Sequence, residues 1–216
     1  MRPRRIESIA GAGTAAHADP DDDVLVDRVA AGDERAFTEL VGRWGARLRD
    51  YLARVVGEAD AADDLLQDVL VATYRAAATR DRAQPLRVWL FCIARNAALS
   101  HLRRRSAQAR LLSRLVDGPR MLLARFSRRA DTEPAATLMA GEFEQAFAAA
   151  LARLPEEFRT VFLLREREEL SYEEIAAIVG APAKTVSTRL ARARERLRHE
   201  LQAWSEMPAR SASWNC

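Results

Sequence analysis

The chain has 216 residues, of which 49% are hydrophobic and 30% charged. That excludes wholesale disorder and collagen-like repeats, and leaves room for one medium domain or two small ones. Arginines and acids interrupt every hydrophobic stretch, so none approaches the roughly 20 apolar residues of a membrane-spanning helix, and no membrane insertion is expected. The formal charge is only +3, but five acids and no base lie between residues 57 and 68, and six arginines and no acid between 82 and 105. Residues 180–198 carry six bases against Glu195 alone. One acidic patch and two basic ones imply a protein partner together with nucleic acid.

In the first eighteen residues Arg2, Arg4 and Arg5 precede small residues, as in a secretory leader, but Glu7 and the glycines and alanines of 10–14 leave no apolar core. The two cysteines, Cys92 in an apolar run and Cys216 at the end, make a poor disulfide framework and fit a reducing cytoplasm. Residues 1–20 are therefore expected as a disordered tail. Few glycines and prolines, no strand-like alternation, and an excess of Ala, Leu, Arg and Glu predict an all-α fold.

A short helix is predicted from Val24 to Val29, before Gly32. Phe37, Leu40, Val41, Trp44, Leu48, Tyr51, Leu52 and Val55 then form the stripe of one long amphipathic helix. A third helix is expected around Leu65, Leu66, Val69, Leu70 and Tyr74, and a fourth from Pro85 to about Arg105, giving a four-helix unit over 21–106. Asp60, Asp64 and Asp68 stand at i, i+4 and i+8 of the third helix. Such a row serves a basic partner helix, a solvated face, or a hard divalent metal, although metal sites usually draw on loop oxygens as well. The fourth helix mixes arginines with Trp89, Phe91 and Asn96. Arginine attracts phosphate, an aromatic ring can stack on an unpaired base and asparagine can pair with a base edge, so melted DNA is a fitting ligand. The competing reading places Trp89 and Phe91 in the core.

Residues 107–134, with Gly118-Pro119 and two leucine clusters, read as a flexible linker with transient helix. A second domain is expected at 135–204, where Met139, Phe143, Phe147, Leu151 and Leu154 are followed by a break at Pro155 and a restart through Phe158, Val161 and Phe162. Within it, Ser171 with Glu174 is a capping box, Gly180 suits a left-handed turn and Pro182 opens the next helix. Two short helices on a glycine turn, the second basic, make a helix-turn-helix. Val186, Leu190, Ala193, Leu197 and Leu201 form the inner seam of the second helix, leaving Lys184, Ser187 and Thr188 for base edges and Arg189 and Arg192 for bases or phosphates. Residues 205–216 read as a frayed tail. His17, His101 and His199 are isolated, and no Walker loop, serine-hydrolase elbow or dinucleotide fingerprint occurs, so neither catalysis nor a cofactor is expected.

Four segments in this order, LVDRVAAGDERAFTELVGRW, DDLLQDVLVATYR, WLFCIARNAALSHLRRR and LARLPEEFRTVFLLREREELSYEEIAAIVGAPAKTVSTRLARARERL, resemble the extracytoplasmic-function group of bacterial RNA polymerase sigma factors. That resemblance covers about residues 21–204 and implies sigma region 2, a linker and sigma region 4. It implies that Asp63, Asp64, Leu65, Gln67 and Asp68 dock on a coiled coil of the polymerase core. It also implies that the loop 80–87 and the following helix capture a flipped base and hold the melted −10 element through Gln84, Arg87, Trp89, Asn96, Ser100, Arg103 and Arg104. The −35 element then falls to Lys184, Thr185, Ser187, Thr188, Arg189 and Arg192, and an anti-sigma factor is an expected further partner. Ser187 stands where the family often has arginine, and Gln84-Pro85-Leu86 where many relatives have aromatic or acidic residues. The alternatives are a helix-turn-helix regulator that works without polymerase and, more remotely, a metal-dependent nuclease using Asp60, Asp64 and Asp68.

Overall fold

The computed structural model describes residues 20–115 and 136–205. The expected tails up to residue 19 and beyond 205, and the linker from 116 to 134 with its Gly118-Pro119 pair, lie outside the described residues. Every described regular element is helical: α1 (Pro20–Ala30), α2 (Glu34–Val56), α3 (Ala59–Ala76) with a 3-10 turn (Ala77–Thr79), α4 (Leu86–Leu115), α5 (Ala136–Arg153), α6 (Glu156–Glu166), α7 (Tyr172–Val179) and α8 (Ala183–Ser205).

The boundaries follow from local chemistry. Asp33 caps α2 by accepting from the amides of Arg35 at 2.9 Å and Ala36 at 3.1 Å. The Ala36 amide, then Arg28, hold its carboxyl below the ordinary value. At the other end Gly57, at φ 77°, donates its amide back to the Ala53 carbonyl, a left-handed closure that a side chain would disfavour. The α2 stripe is buried as its periodicity predicts, with Leu40, Leu48, Leu52 and Val55 at 1% exposure or less. Phe37 and Val41 depart from it: both are half-buried, and Phe37 lies edge-on to Tyr74 at 5.4 Å. In α3 the buried residues are Ala62, Leu65, Val69 and Thr73, so Tyr74 turns outward and is 46% exposed, against its expected place in the stripe. Helix α4 continues through Leu115, ten residues past its expected end, and the extension presents Leu111 and Leu112 to solvent.

In the second unit Pro155 separates α5 from α6 as expected. Phe158, Val161, Leu164, Leu170, Ile175, Val186, Leu190, Ala193 and Leu197 make the core.

The two units do not stand apart. Helix α4 packs on α7, and α2 packs on α5 and α6. Tyr51 of α2 is fully buried beside Phe91, its ring 5.3 Å away. Burial pushes its hydroxyl well above the ordinary pKa, an effect that Thr160 of α6 opposes, although no hydrogen bond of good geometry forms there. The guanidinium of Arg159 in α6 is buried as well and donates to the carbonyls of Val55 at the end of α2, Ala152 and Leu154. Burial draws its pKa down.

Candidate nucleic-acid interface

Helix α3 presents Asp60, Asp64, Gln67 and Asp68 to solvent along one side. Leu65, expected among the docking residues, is 3% exposed and belongs to the core with Ala62 and Val69. It is three residues from Ala62 and four from Val69, so it points away from the acidic face. Asp63 is exposed but held by Arg49, whose Nε and Nη2 donate to its two oxygens at 2.5 and 2.9 Å and keep the carboxyl below its usual range. Among the described residues no three His, Cys, Asp or Glu side chains converge as a metal would need. The acids lie in a line instead, continued by exposed Val71 and Tyr74, an apolar end that the charge pattern did not disclose.

The connection from the 3-10 turn into α4 is braced from within. Arg80, with a side chain only 2% exposed, donates to Asp23 of α1 at 2.7 Å and to the Gln84 carbonyl at 2.7 Å, and its guanidinium lies 5.7 Å over the ring of Trp89. Arg82 reaches Asp27 of α1 at 2.6 Å. Of the expected −10 residues, Asn96, Ser100, Arg103 and Arg104 are exposed, and Gln84, Arg87 and Trp89 are half-buried. Asn96, Ser100 and Arg103, at spacings of four and three, share a face of α4 and can meet a nucleic acid together. Phe91 is fully buried, so the core reading is the right one for that ring. Trp89 is packed against the core while keeping part of its surface accessible. Arg87 is already engaged, its Nε donating to Glu174 of α7 at 2.6 Å.

The helix-turn-helix forms as its caps dictate. Ser171 Oγ accepts from the Glu174 amide at 3.2 Å while Glu174 Oε2 accepts from the Ser171 amide at 2.9 Å. Gly180, at φ 65°, closes α7. The Pro182 carbonyl accepts from Thr185 and Val186 to start α8. Val186, Leu190, Ala193 and Leu197 are buried, and Lys184, Ser187, Thr188 and Arg192 are exposed on the other side. Thr185 and Arg189 are half-buried, and Arg189 pairs with the exposed Glu157 of α6 at 2.8 Å, a surface contact between α8 and α6.

Comparison with known proteins agrees with this arrangement. The Sigma-70 region 2 family matches residues 40–108 and the Sigma-70 region 4 family matches residues 144–197. The chain is 32% identical over 181 residues to the RNA polymerase sigma-H factor of Pseudomonas aeruginosa, covering 84% of this chain and 94% of that one. It is 34% identical over 184 residues to the ECF RNA polymerase sigma-E factor of Escherichia coli K12, again with 84% and 94% covered. Among solved structures, CnrH in complex with the cytosolic domain of CnrY matches with a TM-score of 0.61 and 30% identity over 84% of this chain and 97% of that one. The sigma factor RpoE in complex with the anti-sigma factor NepR from Bartonella quintana also matches with a TM-score of 0.61, at 27% identity over 77% and 96%. With a region 2 bundle and a region 4 helix-turn-helix in one all-helical chain, and relatives of this identity along most of its length, the protein belongs to the extracytoplasmic-function group of RNA polymerase sigma factors.

Proposed function

We propose that this sigma factor works in the cytoplasm by lending the polymerase core three separate surfaces, and that it catalyses nothing itself. The acidic face of α3, with Asp63, Asp64, Gln67 and Asp68, docks on the core. The exposed face of α4, with Asn96, Ser100 and Arg103, and behind it Arg104, Arg87, Trp89 and Gln84, takes the −10 strand. The outer face of α8, with Lys184, Thr185, Ser187, Thr188 and Arg192, reads the −35 element. Residues 21–106 form the first working unit and 135–204 the second, with 107–134 the connection between them.

The observation that carries this reading is the division of labour on α4 and α8. Each helix buries an apolar seam and leaves polar and basic residues on the opposite side, Asn96, Ser100 and Arg103 on α4 and Lys184, Ser187, Thr188 and Arg192 on α8. Opening the duplex costs a few kcal/mol of unstacking, which contacts to the flipped base and phosphates offset. An anti-sigma factor is a fitting regulator, since the related CnrH and RpoE were solved in complex with CnrY and the anti-sigma factor NepR. The test is runoff transcription with purified core on a promoter library. Discrete start sites that require the added chain support the proposal, whereas DNA binding without core and no transcript would point to a polymerase-independent regulator.

A further inference from the structure

The loop that leads into α4 owes its shape to one buried arginine. Residues 80–85 make no helix or strand, and Asp81, Arg82, Ala83 and Pro85 are exposed, so the loop buries no apolar side chain of its own. A cleft of about 130 Å³ separates it from α1, with Val26, Ala30, Ala77 and Ala78 along its apolar side, so close packing on α1 does not fix the loop either. The Arg80 side chain, 2% exposed, crosses the loop as a chord. Its Nη1 donates to Asp23 of α1 and its Nη2 to the Gln84 carbonyl, each at 2.7 Å, and the guanidinium lies over the Trp89 ring in the first turn of α4. Gln84 in turn rests its side-chain amide on Cys92 Sγ at 4.0 Å.

Asp23 stands on a fixed support. Asp22 beside it, with a side chain 8% exposed, accepts from Arg43 of α2 at 3.0 Å, and Leu25, Val26 and Val29 of α1 are buried in the core. A guanidinium is a planar fork with fixed donor directions, so it can serve a carboxylate, a carbonyl and a ring face together, which the point charge of an ammonium cannot. A buried guanidinium that loses its carboxylate is left uncompensated, so the loop must rearrange when Asp23 is removed. Gln84 and Trp89, two of the groups assigned to the −10 strand, are the ones that Arg80 holds. The neighbouring pair of Arg82 with Asp27 lies outside, with side chains 71% and 43% exposed, and contributes little.

We infer that Asp23 and Arg80 are positioning residues for −10 recognition: they touch no base, and they hold Gln84 and Trp89 in the arrangement that distinguishes the flipped base from the other three. The inference rests on the proposed −10 assignment of this loop and α4. Arg80 is neutralised by Asp23 and its side chain is closed off from solvent, so it contributes shape and not phosphate attraction. The sign of an Asp23 substitution separates these roles. An acid beside nucleic acid repels phosphate, so deleting a merely solvated one strengthens binding to every sequence, whereas deleting a brace lowers discrimination between sequences.

The test measures open-complex formation by the full chain with purified core on promoters premelted at −10 and varied one base at a time. Wild type should favour one base at the flipped position by roughly tenfold or more, the discrimination usual for a specific base contact. Asp23→Ala, Arg80→Lys and Arg80→Gln should each bring that ratio close to parity, with the −35 preference and the salt slope unchanged. Asp23→Glu, which keeps the carboxylate, should retain the preference, and so should Asp27→Ala, which cuts only the outer pair. Circular dichroism and thermal melting check that each variant folds. Tryptic cleavage after Arg82 in the free chain reads loop order without DNA, and should quicken severalfold in Asp23→Ala and Arg80→Lys but not in Asp23→Glu. Folded Asp23→Ala and Arg80→Lys variants with the wild-type base preference would overturn the positioning role. So would a salt slope lower by about one in Arg80→Gln, the mark of a direct phosphate contact. A wild type without base preference in the melted strand would instead remove the −10 assignment on which the inference rests.

Discussion

At the scale of single residues, the structure sorts arginines that look alike in the sequence. Arg192 is exposed on the outer face of α8, while Arg189 is tied to Glu157. Arg192→Ala is expected to cost about 1 to 3 kcal/mol and to relax preference at one −35 position, whereas Arg198→Ala, near the end of α8, should change neither preference nor salt slope. Binding and transcription across −35 variants at several salt concentrations check both. Asn96→Ala should impair open-complex formation on duplex promoters far more than on templates with a premelted bubble, a contrast visible in permanganate footprinting. The Cys92 thiol is half-buried, and burial pushes its pKa up, with Arg95 opposing. Thiolate is the reactive species, so Cys92 should react with a thiol reagent such as Ellman's more slowly at mildly alkaline pH than an unfolded control does.

At the scale of elements, the roles proposed for α3 and for the helix-turn-helix can be tested separately. Reversing charge at Asp64 and Asp68 should leave helical content intact, because both are exposed on α3, yet abolish co-elution with polymerase core; intact co-elution would remove the docking assignment. The helix-turn-helix depends on its first cap. Ser171→Ala removes the acceptor for the Glu174 amide and should cost about 1 kcal/mol, within the usual 0.5–2 range for a lost cap, measurable by denaturant unfolding. The same variant should weaken −35 binding only as far as it loosens α7, since Ser171 is not among the residues proposed to read that element.

At the scale of the whole molecule, the packing of α7 and the turn before it on α2 and α4 should respond to salt and pH. Surface pairs such as Arg167–Asp50 are screened as the Debye length falls to about 3 Å near 1 M salt, so their small contribution to stability should fade with ionic strength, measurable by denaturant unfolding of wild type against Asp50→Asn. Glu168 adds a dependence of definite sign. Burial raises its carboxyl pKa above the ordinary 4.5, an effect only partly offset by Arg47, with Asp50 adding to it and Arg167 opposing. The folded chain then binds the proton more tightly than the unfolded one. The cost of the buried carboxylate is present above the raised pKa and is relieved as pH falls through it toward 4.5. Lowering the pH from neutrality toward ~5 should therefore raise the stability of wild type relative to Glu168→Gln, as read by denaturant unfolding of both at each pH.

Much of this was determined by the sequence alone because it is local. The α2 stripe, the Ser171–Glu174 box, the Gly180 turn and the seam of Val186, Leu190, Ala193 and Leu197 all depend on residues within a turn or two of one another, and the repeat of 3.6 residues tells inside from outside. So does the separation of Lys184, Ser187, Thr188 and Arg192 from that seam. Tertiary structure alone decided which charges are struts. Arg80 and Asp23 are 57 residues apart, Arg87 and Glu174 are 87 apart, and Arg47 and Glu168 are 121 apart. No periodicity connects such pairs, and an arginine that braces a loop carries the same side chain as one that reads a base. The rotation of α3 was decided there too: whether Leu65 or Tyr74 faces inward depends on how α2 and α4 pack around it, because a stripe two residues wide at each turn leaves its centre undefined until neighbours bury one side.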